Sequence, residues 1–273
     1  MSVTTPQAGP MPARSPAPTN GAVRDSFVLG ARAIREALRS PDSLLPQMLI
    51  PLFFLVVNVG QAAQIFTSGD TPFLAGQNYG AFQLPTSMLM SASFGSAGLY
   101  LVEEIENGYF DKLRSTPVSR MALIVGRLYA EFTKTAVIAT LMVLLALPFG
   151  IHIEGGILGF VVLVILVSLW TMVFSGFMQL IALKSRSAAA TQSGSMIFFP
   201  LLFLTPNFVP RDLLTRPMEI AATCNPVTYI MEAARSLVLD GFDGAALAKG
   251  FGVVAVTMAI MLTLSVRVVS SYD

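Results

Sequence analysis

The stretch Ile157–Leu183 carries no charged side chain and is the clearest of several long apolar runs in this chain. A helix rises about 1.5 Å per residue, so about 20 apolar residues cross the roughly 30 Å hydrocarbon layer of a bilayer. The chain is 54% hydrophobic and 12% charged, whereas about a quarter of the residues in a soluble domain are charged. The runs are continuous and do not alternate as barrel strands do. We therefore expect an all-α membrane protein that crosses the bilayer several times.

Six transmembrane helices are expected within residues 43–273, which form one transmembrane domain. The fifth helix is short and is interrupted by Pro200. The expected spans lie at about Leu44–Phe66, Ala81–Val102, Leu128–Gly150, Ile157–Leu183, Gly194–Thr205 and Ala246–Val266.

The first 42 residues differ in composition from the rest of the chain. Residues 1–22 are rich in Pro, Ala, Ser and Thr and have no apolar core, so we expect a disordered cytoplasmic tail. Residues 23–42 have apolar residues at helical spacing, interleaved with Arg32, Arg35 and Arg39. This pattern favours an amphipathic interfacial helix whose arginines face anionic membrane lipids. A plain cytoplasmic helix is the alternative.

Lysine and arginine are distributed unevenly among the loops. The 67–80 and 148–156 loops contain neither residue, whereas the 103–134 and 184–193 regions contain several. Because positively charged loops stay in the cytoplasm, we place both termini and the 103–120 loop there, with the chain in the bacterial plasma (inner) membrane. Residues 206–245 then fall on the outer face, where the pattern predicts short helices resting at the interface before the last span.

The 103–120 loop gathers much of the charge of the chain into one short segment. Ile105, Tyr109 and Leu113 recur at i, i+4 and i+8 and form an apolar stripe among charged residues, and Pro117 ends the predicted helix. A short amphipathic helix of this kind can insert its stripe into a groove on a partner protein. A solvated turn between spans is the alternative.

The polar residues within the spans are mostly neutral. Asn58 and Gln61 are candidates either for hydrogen bonds between helices or for the lining of a substrate path. Ser91 belongs to a row of small residues that favours close helix packing, and we include it among the candidate path residues. Glu131 and Lys134, at the entry of the third span, have the spacing of an i,i+3 ion pair near the interface.

The sequence lacks the residues that most forms of catalysis would need. It contains no phosphate-binding loop that ends in Gly-Lys-Ser/Thr, no catalytic constellation and a single cysteine, Cys224. The net charge of +1 and the lack of a basic patch predict no nucleic-acid binding. The spans are nearly free of the mid-membrane acids that ion-coupled transporters use. We expect no enzymatic activity and no bound cofactor or metal, so any uphill transport must draw its energy from another subunit.

Two segments in register with this topology resemble the ABC-2 type transporter permeases, and most closely those of the daunorubicin-resistance, drug-exporter type. The first segment is the charged loop with its glutamates. The second precedes the last span. The residues that carry the resemblance are Gly108, Leu113 and Ser115–Arg120 in the first segment, and Phe203, Pro206, Pro210 and Asn225–Tyr229 through Arg235 in the second.

The resemblance implies a half-transporter. Two permease chains, expected to be identical, would pair around a central path, and two ATP-binding chains that carry ATP and Mg would dock beneath them. The charged loop would be the coupling helix that meets the ATPase, although Tyr109 stands where the family commonly has a small hydroxyl residue. The coupling residues so assigned are Glu103, Glu104, Ile105, Glu106, Gly108, Tyr109, Leu113 and Pro117.

The leading hypothesis is the membrane subunit of an ATP-driven exporter of amphiphilic small molecules such as drugs, lipids or secondary metabolites. A polysaccharide or lipid-linked glycan exporter is the alternative within the family, but such permeases are expected to line their channel with aromatics. Here the 19 phenylalanines scatter over the chain and there is one tryptophan. A non-transporting membrane scaffold or sensor subunit is the alternative from another class.

Overall fold

The computed structural model describes residues 41–67, 69–93, 101–103, 106–107, 120–196 and 198–270. Within these ranges the chain is helical and contains no strand, which confirms the expected all-α class. The predicted tail and the predicted interfacial helix up to residue 40, with Arg32, Arg35 and Arg39, lie outside them, and its last two residues, 41 and 42, begin the first described helix. The α-helices are α1 (Pro41–Ala62), α2 (Tyr79–Ala92), α3 (Arg120–Ala146), α4 (Gly156–Ser185), α5 (Ala188–Ser195), α6 (Phe198–Phe203), α7 (Arg216–Cys224), α8 (Pro226–Leu239) and α9 (Gly244–Ser270).

Four of the described helices, α1, α3, α4 and α9, are long and apolar enough to cross a membrane. They correspond to the first, third, fourth and sixth expected spans. The second expected span overlaps the 14-residue helix α2 from Ala81 onward and reaches the helical residues at 101–103, while residues 94–100 lie outside the described ranges. The fifth expected span contains the short helix α6 and only the end of α5, Gly194 and Ser195. The count of six spans therefore stays a prediction.

Local signals set several of the helix ends. The side-chain oxygen of Asn78 accepts the backbone N–H of Ala81 at 3.1 Å and caps the start of α2. Asn225 caps α8 in the same way, accepting the N–H of Val227 at 3.0 Å. Beyond α3, Gly150 has a φ of 75°, a left-handed conformation that glycine adopts without steric cost. It turns the chain into the short connection to α4.

The core is built around α4, which packs against α3, α8 and α9, while α2 packs between α1 and α8. By contrast, α1 and α9 expose much of their length. Large apolar surfaces of this kind suit contact with lipid or with another membrane chain. Fully buried core side chains include Met88, Leu89, Leu163, Leu166, Ile230 and Met231, and exposed apolar side chains include Phe53 and Val56 on α1 and Val256 and Ile260 on α9.

The segment before the last long helix is buried more deeply than the sequence indicates. The expected short helices are present as α7 and α8, but α8 packs against α2, α4 and α9 instead of resting at a surface. Most of its side chains from Val227 to Leu239 are buried. Small residues permit this packing, because Gly250 of α9 lies directly against Ala233 and the backbone of Tyr229.

An ion pair lies within α3. The ammonium of Lys134 and a carboxylate oxygen of Glu131 are 2.8 Å apart, and the two side chains are only 4% and 7% exposed. The predicted i,i+3 pair is therefore confirmed. Both groups are buried in the bundle, and their expected position near the membrane interface stays a prediction. Mutual neutralisation is what makes two charges tolerable there, because a single buried charge would remain uncompensated.

The contact of Gly250 with α8 gives a prediction about stability. A Cβ atom at Gly250 would lie 2.5 Å from the Cβ of Ala233 and 3.1 Å from the carbonyl oxygen of Tyr229, whereas one at Gly252 would meet nothing within 4 Å. Gly250→Leu should lower the free energy of unfolding by about 1–3 kcal/mol, because α9 must move away from α8. Thermal unfolding of the purified chain in detergent measures the effect. Gly252→Leu is the matched control, and equal midpoints for the two variants would contradict the close helix contact.

Candidate functional site

The residues expected to couple the chain to an ATPase lie mostly outside the described ranges. Glu103 and Glu106 are described, and both side chains are exposed. The N–H of Asn107 donates to the carbonyl oxygen of Glu103 at 2.9 Å, as in a helical turn. The remaining coupling residues are not described, so the coupling assignment stays a prediction. These residues are Glu104, Ile105, Gly108, Tyr109, Leu113 and Pro117.

A buried cluster anchors the chain just before this segment. Leu101 and Val102 are 2% and 0% exposed and pack with Leu128 of α3 and with Ala182 and Leu183 of α4. The start of α3 and the end of α4 therefore meet at the point where the charged connection begins. We call this the Leu101 end of the bundle. Glu103 is exposed directly after these buried residues. The charged connection therefore begins at the edge of a packed apolar cluster.

The opposite end, which we call the Tyr79 end, is held together by a network of polar side chains. Gln77 joins three elements here, because its amide nitrogen donates to the carbonyl of Val238 at 2.8 Å and its oxygen accepts the N–H of His152 at 3.2 Å. Asn78 donates to the carbonyl of Phe149 at 2.9 Å. The start of α2 is thereby tied to the end of α8 and to the connection between α3 and α4.

Arg235 is the most deeply placed charge at the Tyr79 end, with 7% of its surface exposed. Its guanidinium donates to the carbonyl of Phe82 at 3.3 Å, to the carbonyl of Pro206 at 3.0 Å and to the hydroxyl of Thr86 at 3.4 Å. The same group lies 3.5 Å above the ring centroid of Phe82, within the range of a cation–π interaction. Arg235 therefore connects α8 both to α2 and to the loop that follows α6.

A second set of bonds holds the loop after α6 against the start of α2. The Tyr79 hydroxyl donates to the carbonyl of Phe208 at 2.9 Å. Gln83 donates to the Tyr79 oxygen at 2.8 Å and to the carbonyl of Asn207 at 3.1 Å. Arg211 then forms a bidentate pair with Glu232 of α8, at 2.9 and 2.6 Å. Two parallel charge-assisted bonds of this kind are among the stronger polar contacts in proteins.

These groups surround a cavity of about 400 Å³, which we call the Arg235 cavity. Its size falls within the range of small-molecule sites, about 300–1,000 Å³. Burial, followed by the nearby Asp243, raises the pKa of Asp240 above its usual value. Charged and aromatic side chains line the cavity. Its lining includes Phe73, Phe82, Arg211, Tyr229, Glu232, Arg235, Ser236, Asp240, Asp243 and Lys249.

The three candidate path residues do not lie together. The hydroxyl of Ser91 donates to the carbonyl of Gln47 at 2.7 Å, and the Gln47 amide donates back to the carbonyl of Ser91 at 3.3 Å. Ser91 is therefore engaged in packing α1 against α2. Asn58 is half-buried and Gln61 is exposed, and Asn58 follows Gln47 by about 16 Å along α1 at 1.5 Å per residue. A path role for Asn58 and Gln61 stays a prediction.

Arg235 and Gln77 are the site residues that sequence reasoning missed. The sequence assigns Gln77 no role, and it marks Arg235 only as the end of the second segment that resembles the family. A signal was nevertheless present, because Arg235 sits in a run of apolar and small residues, with Ala233 and Ala234 before it and Leu237 to Leu239 after it. An arginine among apolar and small residues of a helix indicates a buried, hydrogen-bonded group.

Comparison with known proteins decides the family. Residues 25–239 match the ABC-2 type transporter family. The chain belongs to this family. It is also similar to the daunorubicin resistance ABC transporter permease protein DrrB1 of Streptomyces coeruleorubidus, with 26% identity over 240 residues that cover 85% of this chain and 83% of that protein.

Family membership makes this chain an integral membrane subunit of an ABC transporter. The matched region ends at residue 239, the last residue of α8, and therefore includes Arg235 and the capped start of α8 at Asn225. The sequence-based identification as an ABC-2 permease of the drug-exporter type is confirmed at the level of the family and of this relative.

The contacts of Arg235 give a second prediction about stability. Arg235→Lys keeps the charge but cannot reach three acceptors at once, because an ammonium is a compact group without the planar fork of a guanidinium. We expect the free energy of unfolding to fall by about 2–3 kcal/mol, the scale of hydrogen bonds to a charged group. Arg216→Lys is the control, since Arg216 pairs with Glu219 with 80% of its own side chain exposed. Denaturation in mild detergent measures both variants, and a loss of equal size at Arg216 would refute the anchoring role.

Proposed function

We propose that this chain is the membrane subunit of an ATP-driven exporter that moves amphiphilic small molecules out across the bacterial plasma membrane. A separate ATP-binding subunit supplies the energy from ATP and Mg. Two copies of that subunit and two copies of the permease make up the working transporter. The observation that carries the proposal is the match of residues 25–239 to the ABC-2 type transporter family.

The family and the sequence both favour an energy source outside this chain. ABC-2 membrane subunits are transporter components and not themselves ATPases, and the sequence contains no Gly-rich loop that ends in Gly-Lys-Ser/Thr. On α3, Glu131 and Lys134 neutralise one another at 2.8 Å. A carboxylate held by its own ammonium is a poor carrier of protons or ions. Energy from a docked ATPase is therefore the better proposal.

The substrate class is supported by the similar Streptomyces coeruleorubidus protein, a daunorubicin resistance ABC transporter permease. We extend to this chain only the class, an amphiphilic small molecule. The exposed apolar side chains of α1, such as Phe53 at 64% and Val56 at 62%, support a further part of the proposal. They provide a face on which a second copy of the chain can pack, with lipid covering the rest.

Charge reversal in the connection tests the proposed contact with the ATPase. Glu106 is exposed beyond the packed Leu101 end, and Leu113 belongs to the predicted apolar stripe. The double variant Glu106→Arg with Leu113→Asp should abolish copurification of the ATP-binding subunit. It should also lower substrate-stimulated ATP hydrolysis of the complex at least tenfold, because an apolar stripe that carries a charge cannot enter a groove.

The matched control for the charge change is Glu154→Arg. Glu154 is also exposed, but its N–H donates to the carbonyl of Val238 at the Tyr79 end, far from the connection. This variant should keep the partner and its stimulated hydrolysis. Retention of the partner by the double variant, or its loss from the Glu154 variant, would refute the assignment of the coupling contact.

A further inference from the structure

The Arg235 cavity has a positively charged floor. Arg235 and Arg211 contribute two positive charges, and Glu232 contributes one negative charge that Arg211 engages through both oxygens. The floor therefore carries one positive charge in excess. Arg235, which is only 7% exposed, bears that excess.

The mouth of the same cavity has the opposite sign. Asp240, Asp243 and Lys249 line it and are all exposed, so this group carries one negative charge in excess. Asp243 caps α9 by accepting the N–H groups of Ala245 and Ala246 at 2.8 and 3.2 Å. Among the described residues, Asp240 forms no ion pair. The cavity is thus dipolar, positive inside and negative at its opening.

Arg235 retains hydrogen-bonding capacity toward the cavity. A guanidinium has five N–H donors, and three of them are directed at Phe82, Pro206 and Thr86. One face of the group is covered by the Phe82 ring, while the side chain also lines the cavity. The two remaining N–H donors can serve an anionic group, and an oxyanion such as phosphate matches the geometry of the guanidinium.

The surroundings of the cavity are apolar and exposed. Phe242 lies between Asp240 and Asp243 in sequence and is 51% exposed, and Phe208 and Leu213, which flank Pro210 and Arg211, are 49% and 59% exposed. Aromatic and apolar side chains next to charged groups are typical of the boundary between headgroups and acyl chains. A ligand that joins a charged head to an apolar tail fits this combination.

We propose that the Arg235 cavity binds the zwitterionic headgroup of a phospholipid, with its phosphate toward Arg235 and its ammonium toward Asp240. Charge complementarity selects the orientation, because the anionic group meets the positive floor and the cationic group meets the negative mouth. The acyl chains then extend out of the cavity along the exposed side chains of Phe242 and Leu213. This lipid joins α8, α9 and the loop after α6 and is separate from the transported molecule.

A lipid competition tests the proposal on the purified full-length chain alone, so its outcome is independent of any ATPase partner. Phosphatidylethanolamine and phosphatidylglycerol with identical acyl chains are offered in equal amounts, and bound lipid is counted by native mass spectrometry. The wild type should retain more phosphatidylethanolamine. Asp240→Lys removes the partner of the ammonium and should lower the ratio of the two bound lipids about two- to fivefold, the scale of one exposed charge contact.

Two further variants and one further probe make the result decisive. Asp240→Asn, which introduces no new charge, should lower the ratio in the same direction by a smaller factor. Glu154→Lys makes the same charge change as Asp240→Lys on an exposed acid of the Tyr79 end that does not line the cavity, and should leave the ratio unchanged. No preference in the wild type, or an equal change at Glu154, would overturn the proposal. If free phosphoethanolamine displaces the lipid at equal concentration, the occupant is a soluble zwitterion and the assignment to a lipid is overturned.

Discussion

The arrangement of this bundle depends on one buried guanidinium. Arg235 is 7% exposed, and burying a charge costs several kcal/mol unless hydrogen bonds and nearby charge compensate for it. Here the compensation comes from the carbonyls of Phe82 and Pro206, the hydroxyl of Thr86 and the ring of Phe82. These partners belong to α2 and to the loop after α6. The bonds can be satisfied only when α8 is inserted beside α2, so the charge specifies the position of the helix.

The contacts described at the two ends of the bundle differ in kind. At the Leu101 end, apolar side chains of α3 and α4 pack around Leu101 and Val102. At the Tyr79 end, directional hydrogen bonds from Gln77 and Arg235 fix α8 against α2. Apolar contacts tolerate sliding more easily than directional bonds do. The directional bonds therefore fix the position of α8 relative to α2.

Much of the helix plan could be predicted from the sequence because the apolar runs are long. The expected span Ile157–Leu183 is α4, Gly156–Ser185, and the expected span Ala246–Val266 is α9, Gly244–Ser270. Short or interrupted runs were less informative. Around Pro200 the chain forms α5 and α6, for which hydropathy alone gives no clear length.

The polar contacts between helices could not be predicted, because their partners are remote in the sequence. Arg235 and Phe82 are 153 residues apart, and Gln47 and Ser91 are 44 residues apart. No local pattern reports such a pairing. The sequence indicated that Ser91 favours packing, and its bond to Gln47 agrees with that interpretation. The coupling segment was singled out by its charge, but the residues that carry its apolar stripe lie outside the described ranges.

The central claim, that this ABC-2 family chain transports with energy supplied by another subunit, can be tested by reconstitution. The chain is placed in proteoliposomes with and without its ATP-binding subunit, and accumulation of a fluorescent amphiphile is followed after addition of ATP and Mg. The account predicts accumulation only when both subunits and ATP are present. Accumulation by the chain alone under a proton or sodium gradient, without ATP, would contradict it.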